Sequence, residues 1–217
     1  MVDPTGVPSD TTHPPDADPR PLLHRAADQV VALLAALAPD DLHRPTPCHG
    51  LDVRALGGHV LGALRGAALV ATGRPVPARP VLVLGAVPVL AARARADRDR
   101  LVAAWSDDAV LVRRLHSPLG TVSGREAAVV HALELVVHAW DLATAVGRAE
   151  ELDAAPAAAL VPAAVEFVPA RPRGGRVPYG PVVPVPPDAC PYERLAGWLG
   201  RDPAWSPWVP ATPPPTG

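Results

Sequence analysis

Polar side chains recur at helical spacing inside an apolar run. Residues 131–141, HALELVVHAWD, carry His131, Glu134, His138 and Asp141 among alanine, valine and leucine. At about 100° per residue, Glu134 and His138 stand one above the other on a helix, and His131 lies in the same arc. An ionised glutamate among apolar neighbours is costly unless it is paired. We therefore expect this stripe to face a partner.

Two interpretations of the stripe remain open on spacing alone. In the first, Glu134 and His138 form an i,i+4 pair on a half-exposed helix face. In the second, they bind one cation, because a carboxylate and an imidazole four residues apart can both reach it from a single helix. The pattern E-x-x-x-H is frequent by chance, so the metal interpretation needs a third ligand from elsewhere.

His59 is the candidate third ligand. It lies in the middle of a predicted helix, "VRALGGHVLGALRGAALVATG", whereas the histidines outside this helix and the stripe lie near helix ends, in the leader or in loops. Cys48 is excluded as a ligand, because it precedes that helix while His59 lies about two turns in, roughly 10 Å along the axis. Asp141, at the edge of the stripe, is predicted to accept a hydrogen bond from a ligand or a neighbouring helix.

The elements that must position these residues are predicted to be helices. Apolar residues spaced by three and four begin a first helix at Arg20, which ends before Pro39. Asp52 is the expected N-cap of the second helix and Gly73 its end. A third helix is expected from about Leu84 to Trp105, with "RARADRDR" as a solvated charged face.

The stripe belongs to the fourth predicted helix. Ser123 and Glu126 have capping-box spacing at its start, and Gly147 ends it. A fifth helix runs from Asp153 to about Phe167, and a short one, "PYERLAGWLG", follows a proline-rich segment. The stretch "RLHSPLGTVS" is compatible with a short hairpin, but strand signals are otherwise nearly absent.

These elements predict an all-α protein, an antiparallel four-helix bundle with extra short helices and a Pro-rich C-terminal strap. We expect a flexible leader over residues 1–19, the bundle over 20–168 and an extension over 169–217 that packs on it. The extension is too rich in proline for long helices. A monomer and a homodimer are both compatible with this sequence.

Composition limits the partners and the compartment. The 22 acidic and 20 basic residues nearly cancel, which gives no global field for nucleic acid or an anionic membrane. The longest uncharged apolar stretch, residues 80–92, is shorter than a bilayer span, and the N-terminus lacks the pattern of a signal peptide. With two cysteines, a cytoplasmic protein with free thiols is expected. The absence of Lys, Ile and Asn indicates a GC-rich genome, such as that of an actinomycete.

Three segments resemble a known family. "RPTPCHGLDVRALGGHVLG" and "ELVVHAWDLATAVGR" resemble the two motifs of the mycothiol-dependent maleylpyruvate isomerase-like family, in the DinB-like group of metal-binding four-helix bundles. The tail "YGPVVPVPPDACPYERLAGWLGRDPAW" is similar to the C-terminal strap of an actinobacterial subgroup. The resemblance covers most of residues 20–205.

The resemblance implies a divalent-metal site on His59, Glu134 and His138, with zinc the first expectation and mycothiol an implied cosubstrate. It implies a thiol transferase or isomerase acting on a small electrophile, and the alternative is a non-catalytic metal- or thiol-binding module of the same fold. Arg65 or Arg125 could hold an acidic substrate, although plain surface charge is the simpler interpretation. The sequence departs from the family at Leu51 and Asp52, and the sterol-carrier-like domain of the full isomerases is not expected.

Overall fold

The computed structural model describes residues 17–77, 86–117, 120–174 and 179–207. Within these ranges the protein is mostly helical. The α-helices of the described residues are α1 (Arg20–Ala35), α2 (Val53–Ala71), α3 (Val87–Ala104), α4 (Ala109–Val112), α5 (Gly124–Ala145), α6 (Ala154–Phe167) and α7 (Pro191–Trp198). A short 3₁₀ helix, Pro39–His43, lies between α1 and α2, and another, Ala149–Glu151, lies between α5 and α6.

The core lies between the four longest helices and is centred on α5. Helix α1 packs on α5 and α3, and α2 packs on the same two helices from the other side. By length and composition α5 could cross a bilayer, but 83% of its most apolar 18-residue window is buried inside the protein. A core helix of a soluble domain passes the same test, and the burial of α5 favours that interpretation.

The predicted N-terminal caps are confirmed at α2, which carries His59, and at α5, which carries the stripe. The Asp52 carboxylate accepts a hydrogen bond from Ala55 N at 2.8 Å at the start of α2. At the start of α5, Ser123 Oγ accepts from Glu126 N at 3.2 Å, and the Glu126 carboxylate accepts from Ser123 N at 2.6 Å. This reciprocal pair satisfies backbone donors that the first helical turn leaves free.

The stretch that the sequence showed only as compatible with a hairpin forms one, so the protein has two short strands besides the predicted helices. Strands β1 (Arg114–Ser117) and β2 (Gly120–Ser123) pair antiparallel, with Leu115 opposite Val122. The hairpin leads directly into α5, where Gly124 lies so close to α4 that a Cβ would stand 1.8 Å from the Val110 carbonyl oxygen. Strands of four residues give little periodic signal, so the alternation of polar and apolar residues could not predict them firmly.

The expectation of a solvated charged face on α3 is wrong at Asp97. This side chain is fully buried and accepts hydrogen bonds from Arg65 Nη2 at 3.1 Å and Arg100 Nη1 at 2.6 Å. Asp97 lies on the side of α3 that packs on α2, and two guanidinium groups compensate its burial. The predicted start of this helix at Leu84 lies outside the described residues.

The described part of the C-terminal extension folds back onto the helices. Val183 N donates to Gly197 O at 2.9 Å, and Trp198 Nε1 donates to Ala164 O of α6 at 2.9 Å. A Cβ on Gly197, in the last turn of α7, would stand 2.6 Å from the Val183 carbonyl oxygen, so the extension crosses α7 backbone against backbone. Helix α7 packs on both α6 and α5. Most of the predicted leader lies outside the described residues.

Candidate metal centre

The three residues selected from the sequence lie together. His59 projects from α2, and Glu134 and His138 project from α5, so that one ligand atom of each lies within 4.8 Å of the other two. His59 Nε2 is 3.3 Å from Glu134 Oε1. The rings of His59 and His138 meet edge to face, with their centroids 4.7 Å apart. The packing of α2 on α5 therefore brings together side chains about 75 residues apart in the chain.

The cluster has a buried side and an open side. The side chain of His138 is 8% exposed, whereas those of Glu134 and His59 are 32% and 42% exposed. A small molecule could therefore reach the three ligand atoms from solution, past His59 and Glu134.

Glu134 is held ionised. Burial alone would raise the pKa of this carboxyl, but the hydrogen bond from His59 and the neighbouring imidazole of His138 lower it to about 2. The carboxylate therefore stays negative at any physiological pH, as a metal ligand requires.

His138 is oriented from behind. Its Nδ1 lies 3.0 Å from Oδ2 of Asp141, which is fully buried. Burial raises the pKa of Asp141, but the hydrogen bond to His138 and the charge of Arg201 outweigh it, so the pKa is lowered. Because Asp141 is ionised, Nδ1 donates to it and Nε2 remains available. The prediction that Asp141 would serve as a hydrogen-bond acceptor is confirmed.

Arg201, which the sequence analysis did not identify, completes this arrangement. It follows α7 and is 8% exposed. Its Nη2 donates to Asp141 Oδ2 at 3.1 Å, and its Nη1 donates to Leu199 O at 2.9 Å. The guanidinium carbon lies 5.7 Å from the ring centroid of Tyr179. Sixty residues separate Arg201 from Asp141, and no local pattern could have linked them.

The predicted distance that excludes Cys48 as a ligand is its distance from His59, but the structure places Cys48 close to His138. A ligand atom of Cys48, one of His138 and one of Asp141 all lie within 4.8 Å of one another. The loop before α2 turns back on itself, since Thr46 Oγ1 donates to Leu51 O at 2.8 Å and Val53 N donates to Arg44 O at 3.0 Å. The axial estimate was measured to His59 along α2, whereas the loop approaches His138 on α5. Cys190 is exposed and is the N-cap residue of α7.

The remaining candidates lie apart from the cluster. His131 is 7% exposed, and neither ring nitrogen has a hydrogen-bond partner among the described residues. Burial lowers its pKa, which keeps the ring neutral. Arg65 is engaged by the buried Asp97, and Arg125 Nη1 donates to Ala17 O. Arg65 is therefore the structural partner of a buried carboxylate, and Arg125 holds the backbone just before α1, so these contacts do not support a role in substrate binding for either arginine.

Two surface hollows lie elsewhere on the protein. The larger, about 530 Å³, lies between α2 and α3 beside Arg65 and Asp97. The smaller, about 410 Å³, lies between the loop before α2 and Trp205. The residues lining these two hollows do not include His59, Glu134 or His138.

The donor set fits a divalent transition metal. Two imidazoles and one carboxylate are typical of catalytic zinc sites, in which three protein ligands leave one position open. A tetrahedral ion with ligands at ~2.1 Å holds them ~3.4 Å apart. The separation of 3.3 Å between His59 Nε2 and Glu134 Oε1 agrees with that value. The ionised Glu134 and the half-exposed side of the cluster supply the charge and the open position.

Comparisons with known proteins identify the family of the chain. The profile of the mycothiol maleylpyruvate isomerase N-terminal domain matches residues 23–143, which include His59, Glu134 and His138. An uncharacterized protein of Mycobacterium tuberculosis strain CDC 1551 / Oshkosh is 33% identical over 197 residues, covering 85% of this chain and 98% of the relative. An uncharacterized protein of strain ATCC 25618 / H37Rv matches with the same identity and coverage. No solved structure matches the chain significantly.

Proposed function

Because the chain belongs to the mycothiol maleylpyruvate isomerase N-terminal domain family, we propose that it binds a divalent metal and uses it to activate a small thiol. His59, Glu134 and His138 are the proposed ligands. The observation that supports this proposal most strongly is the convergence of their ligand atoms within 4.8 Å from two different helices.

The proposal includes a finer description of the fold and the setting. Helices α1, α2, α3 and α5 form the antiparallel four-helix bundle of a DinB-like protein, within a domain of residues 20–168, and residues 169–217 form an extension packed on it. Zinc is the proposed ion, because two imidazoles and one carboxylate suit it, although the same ligands accept nickel, iron and manganese. A cytoplasmic location is proposed, where thiols stay reduced.

The residues around the centre have separate tasks in this proposal. His59, Glu134 and His138 would hold the ion, which would lower the pKa of a bound thiol so that thiolate, the nucleophile, exists at neutral pH. Glu134 would supply the negative charge that retains the ion. Asp141 holds His138 by Nδ1 and so directs its Nε2 toward the cluster. The exposed sides of His59 and Glu134 leave room for the thiol to enter.

Mycothiol is the proposed thiol, and a small electrophile is the proposed second substrate. Attack of the thiolate forms a C–S bond and either displaces a leaving group, which departs as its anion and completes thiol transfer, or adds to a conjugated double bond. In the second case bond rotation and elimination return the thiol and give the isomer. The family match supports mycothiol. Both outcomes require the same nucleophile at the same place.

The experiment begins with metal analysis of protein purified without an affinity tag. We expect about one divalent ion per chain, lost in His59→Ala. Incubation with mycothiol and a panel of electrophiles, including maleylpyruvate, is then expected to give turnover that depends on Glu134. Turnover that survives in Glu134→Gln would contradict the mechanism. Bound metal without turnover on any electrophile would leave the non-catalytic binding module as the function.

A further inference from the structure

His138 belongs to two overlapping groups of metal-ligand atoms. One group is His59, Glu134 and His138, and the other is Cys48, His138 and Asp141, each with its ligand atoms within 4.8 Å. The first group contains no sulfur, and the second offers a thiol and a buried carboxylate. An ion in the second group would take a different ligand set and lie deeper in the protein, since His138 and Asp141 are both buried.

A side-chain cation already lies at the second group. Arg201 Nη2 is 3.1 Å from Asp141 Oδ2 and 3.8 Å from Cys48 Sγ, and Arg201 Nε is 3.4 Å from Asp141 Oδ1. One guanidinium therefore contacts two of the three potential ligands. The same group is fixed by its bond to Leu199 O and by the ring of Tyr179.

We propose that Arg201 is the residue that selects the metal position: it occupies the cation position of Cys48, His138 and Asp141 and so reserves the ion for His59, Glu134 and His138. This inference rests on the proposed metal-binding function. It makes the C-terminal extension a determinant of which atoms bind the metal.

The physical reason is competition between cations. A guanidinium is always charged and gives two hydrogen bonds to one carboxylate, so both Asp141 oxygens are engaged. A divalent ion on the same atoms would have to displace this buried cation and would be repelled by it. Asp141 also accepts a hydrogen bond from Nδ1 of His138. The pair of Asp141 and Arg201 therefore blocks one metal position and orients His138 as a ligand of the other.

Cobalt(II) distinguishes the two positions by its spectrum. A cysteine thiolate bound to cobalt gives an intense ligand-to-metal charge-transfer band in the near ultraviolet, and histidine and carboxylate ligands do not. The test titrates cobalt(II) into metal-free wild-type protein, Cys48→Ser, Arg201→Met, Arg201→Lys and Arg201→Met/Cys48→Ser. Arg173→Met is the matched control, because Arg173 is another arginine of the extension, bonded to Pro169 O and stacked on Trp198.

We expect the wild type and Arg173→Met to bind one equivalent of cobalt without a thiolate band. Arg201→Met is expected to show the band, and Cys48→Ser in the same chain to abolish it. Arg201→Lys keeps a positive charge and is expected to keep the band absent. Circular dichroism and thermal unfolding establish that each variant is folded.

The other outcomes would contradict either the selection of the metal position by Arg201 or the proposed metal-binding function. A thiolate band in the wild type that Cys48→Ser removes would overturn the selection by Arg201, and this arm needs no Arg201 variant to fold. A folded Arg201→Met that binds cobalt without the band would overturn it too. Failure of the wild type to bind cobalt at all would instead overturn the proposed function, and this inference with it.

Discussion

At the scale of residues, the protein combines a half-exposed set of ligand atoms with a buried supporting shell. Glu134 and His59 face solution, His138 stands between them and the interior, and Asp141 and Arg201 lie behind it. The groups follow one another from the cluster inward as carboxylate, imidazole, carboxylate and guanidinium. Each buried charge therefore has an opposite or polar neighbour within hydrogen-bonding distance, which is the condition for burying it.

Glu134→Gln tests the carboxylate ligand. It keeps the volume and removes the negative charge, so we expect zinc affinity to fall by more than ~100-fold, because loss of an outer-shell partner alone typically costs 10–100-fold. Calorimetric titration of zinc measures it. The matched control is Glu166→Gln on the exposed face of α6, which removes the same charge away from the cluster. Equal affinities of the two variants would exclude Glu134 as a ligand.

Asp141→Asn tests the orientation of His138. The amide oxygen is a weaker acceptor for Nδ1–H than a carboxylate, so we expect zinc affinity to fall by roughly 10–100-fold. Asp99→Asn is the control, since Asp99 is exposed on α3 and pairs with Arg98 at the surface. Unchanged zinc affinity in Asp141→Asn would show that His138 is oriented without this contact.

At the scale of elements, α5 is the helix on which the site depends. It carries two of the three proposed ligands and packs on α1, α2 and α6. Its start is fixed by the Ser123–Glu126 capping box and by the close approach of Gly124 to α4. Changes at this start are therefore expected to destabilise the whole domain and not only one helix turn.

The capping box predicts a pH dependence. The hydrogen bonds from Ser123 N and Oγ lower the pKa of Glu126 below its ordinary 4.5. Since the folded-state pKa is the lower one, its stabilisation is complete above pH 4.5 and is lost as pH falls through the folded-state value. Urea unfolding at pH 7 and at pH 3 should show a smaller loss of stability on acidification for Glu126→Gln than for wild type. Glu166→Gln should behave as wild type, and equal losses in all three would contradict the prediction.

Two glycine-to-alanine substitutions should change the free energy of unfolding in opposite directions. A Cβ on Gly124 would meet the Val110 carbonyl oxygen at 1.8 Å, which only a shift of backbone can relieve, so Gly124→Ala should destabilise by about 1–3 kcal/mol or more. A Cβ on Gly66, within α2, would meet Val76 at an ordinary 3.6 Å. Gly66→Ala should therefore stabilise by about 0.5–1 kcal/mol, because alanine favours a helix. Denaturant unfolding measures both, and a stable Gly124→Ala would contradict the tight contact.

At the scale of the whole molecule, sequence reasoning was sufficient where information is local. Helical spacing and caps identified α1, α2, α3, α5, α6 and α7 but not the single-turn helix α4, and the placement of His59, Glu134 and His138 in mid-helix selected the residues that the fold brings together. Contacts between distant segments were not accessible in this way. Arg201, with Tyr179 beside it, reaches Asp141 from the extension, Cys48 approaches His138 from a loop, and the buried Asp97 of α3 pairs with Arg65 of α2. None of these contacts leaves a period in the sequence.

The measurement that tests the central claim most directly is a crystal structure of the untagged, zinc-loaded protein with an anomalous map at the zinc edge. We expect one ion bound by His59 and His138 nitrogens at about 2.0–2.1 Å and by a Glu134 oxygen at about 2.0–2.2 Å, with the fourth position taken by a group from outside the chain. An ion bound by Cys48 and Asp141 instead, or bound at neither group, would contradict the account.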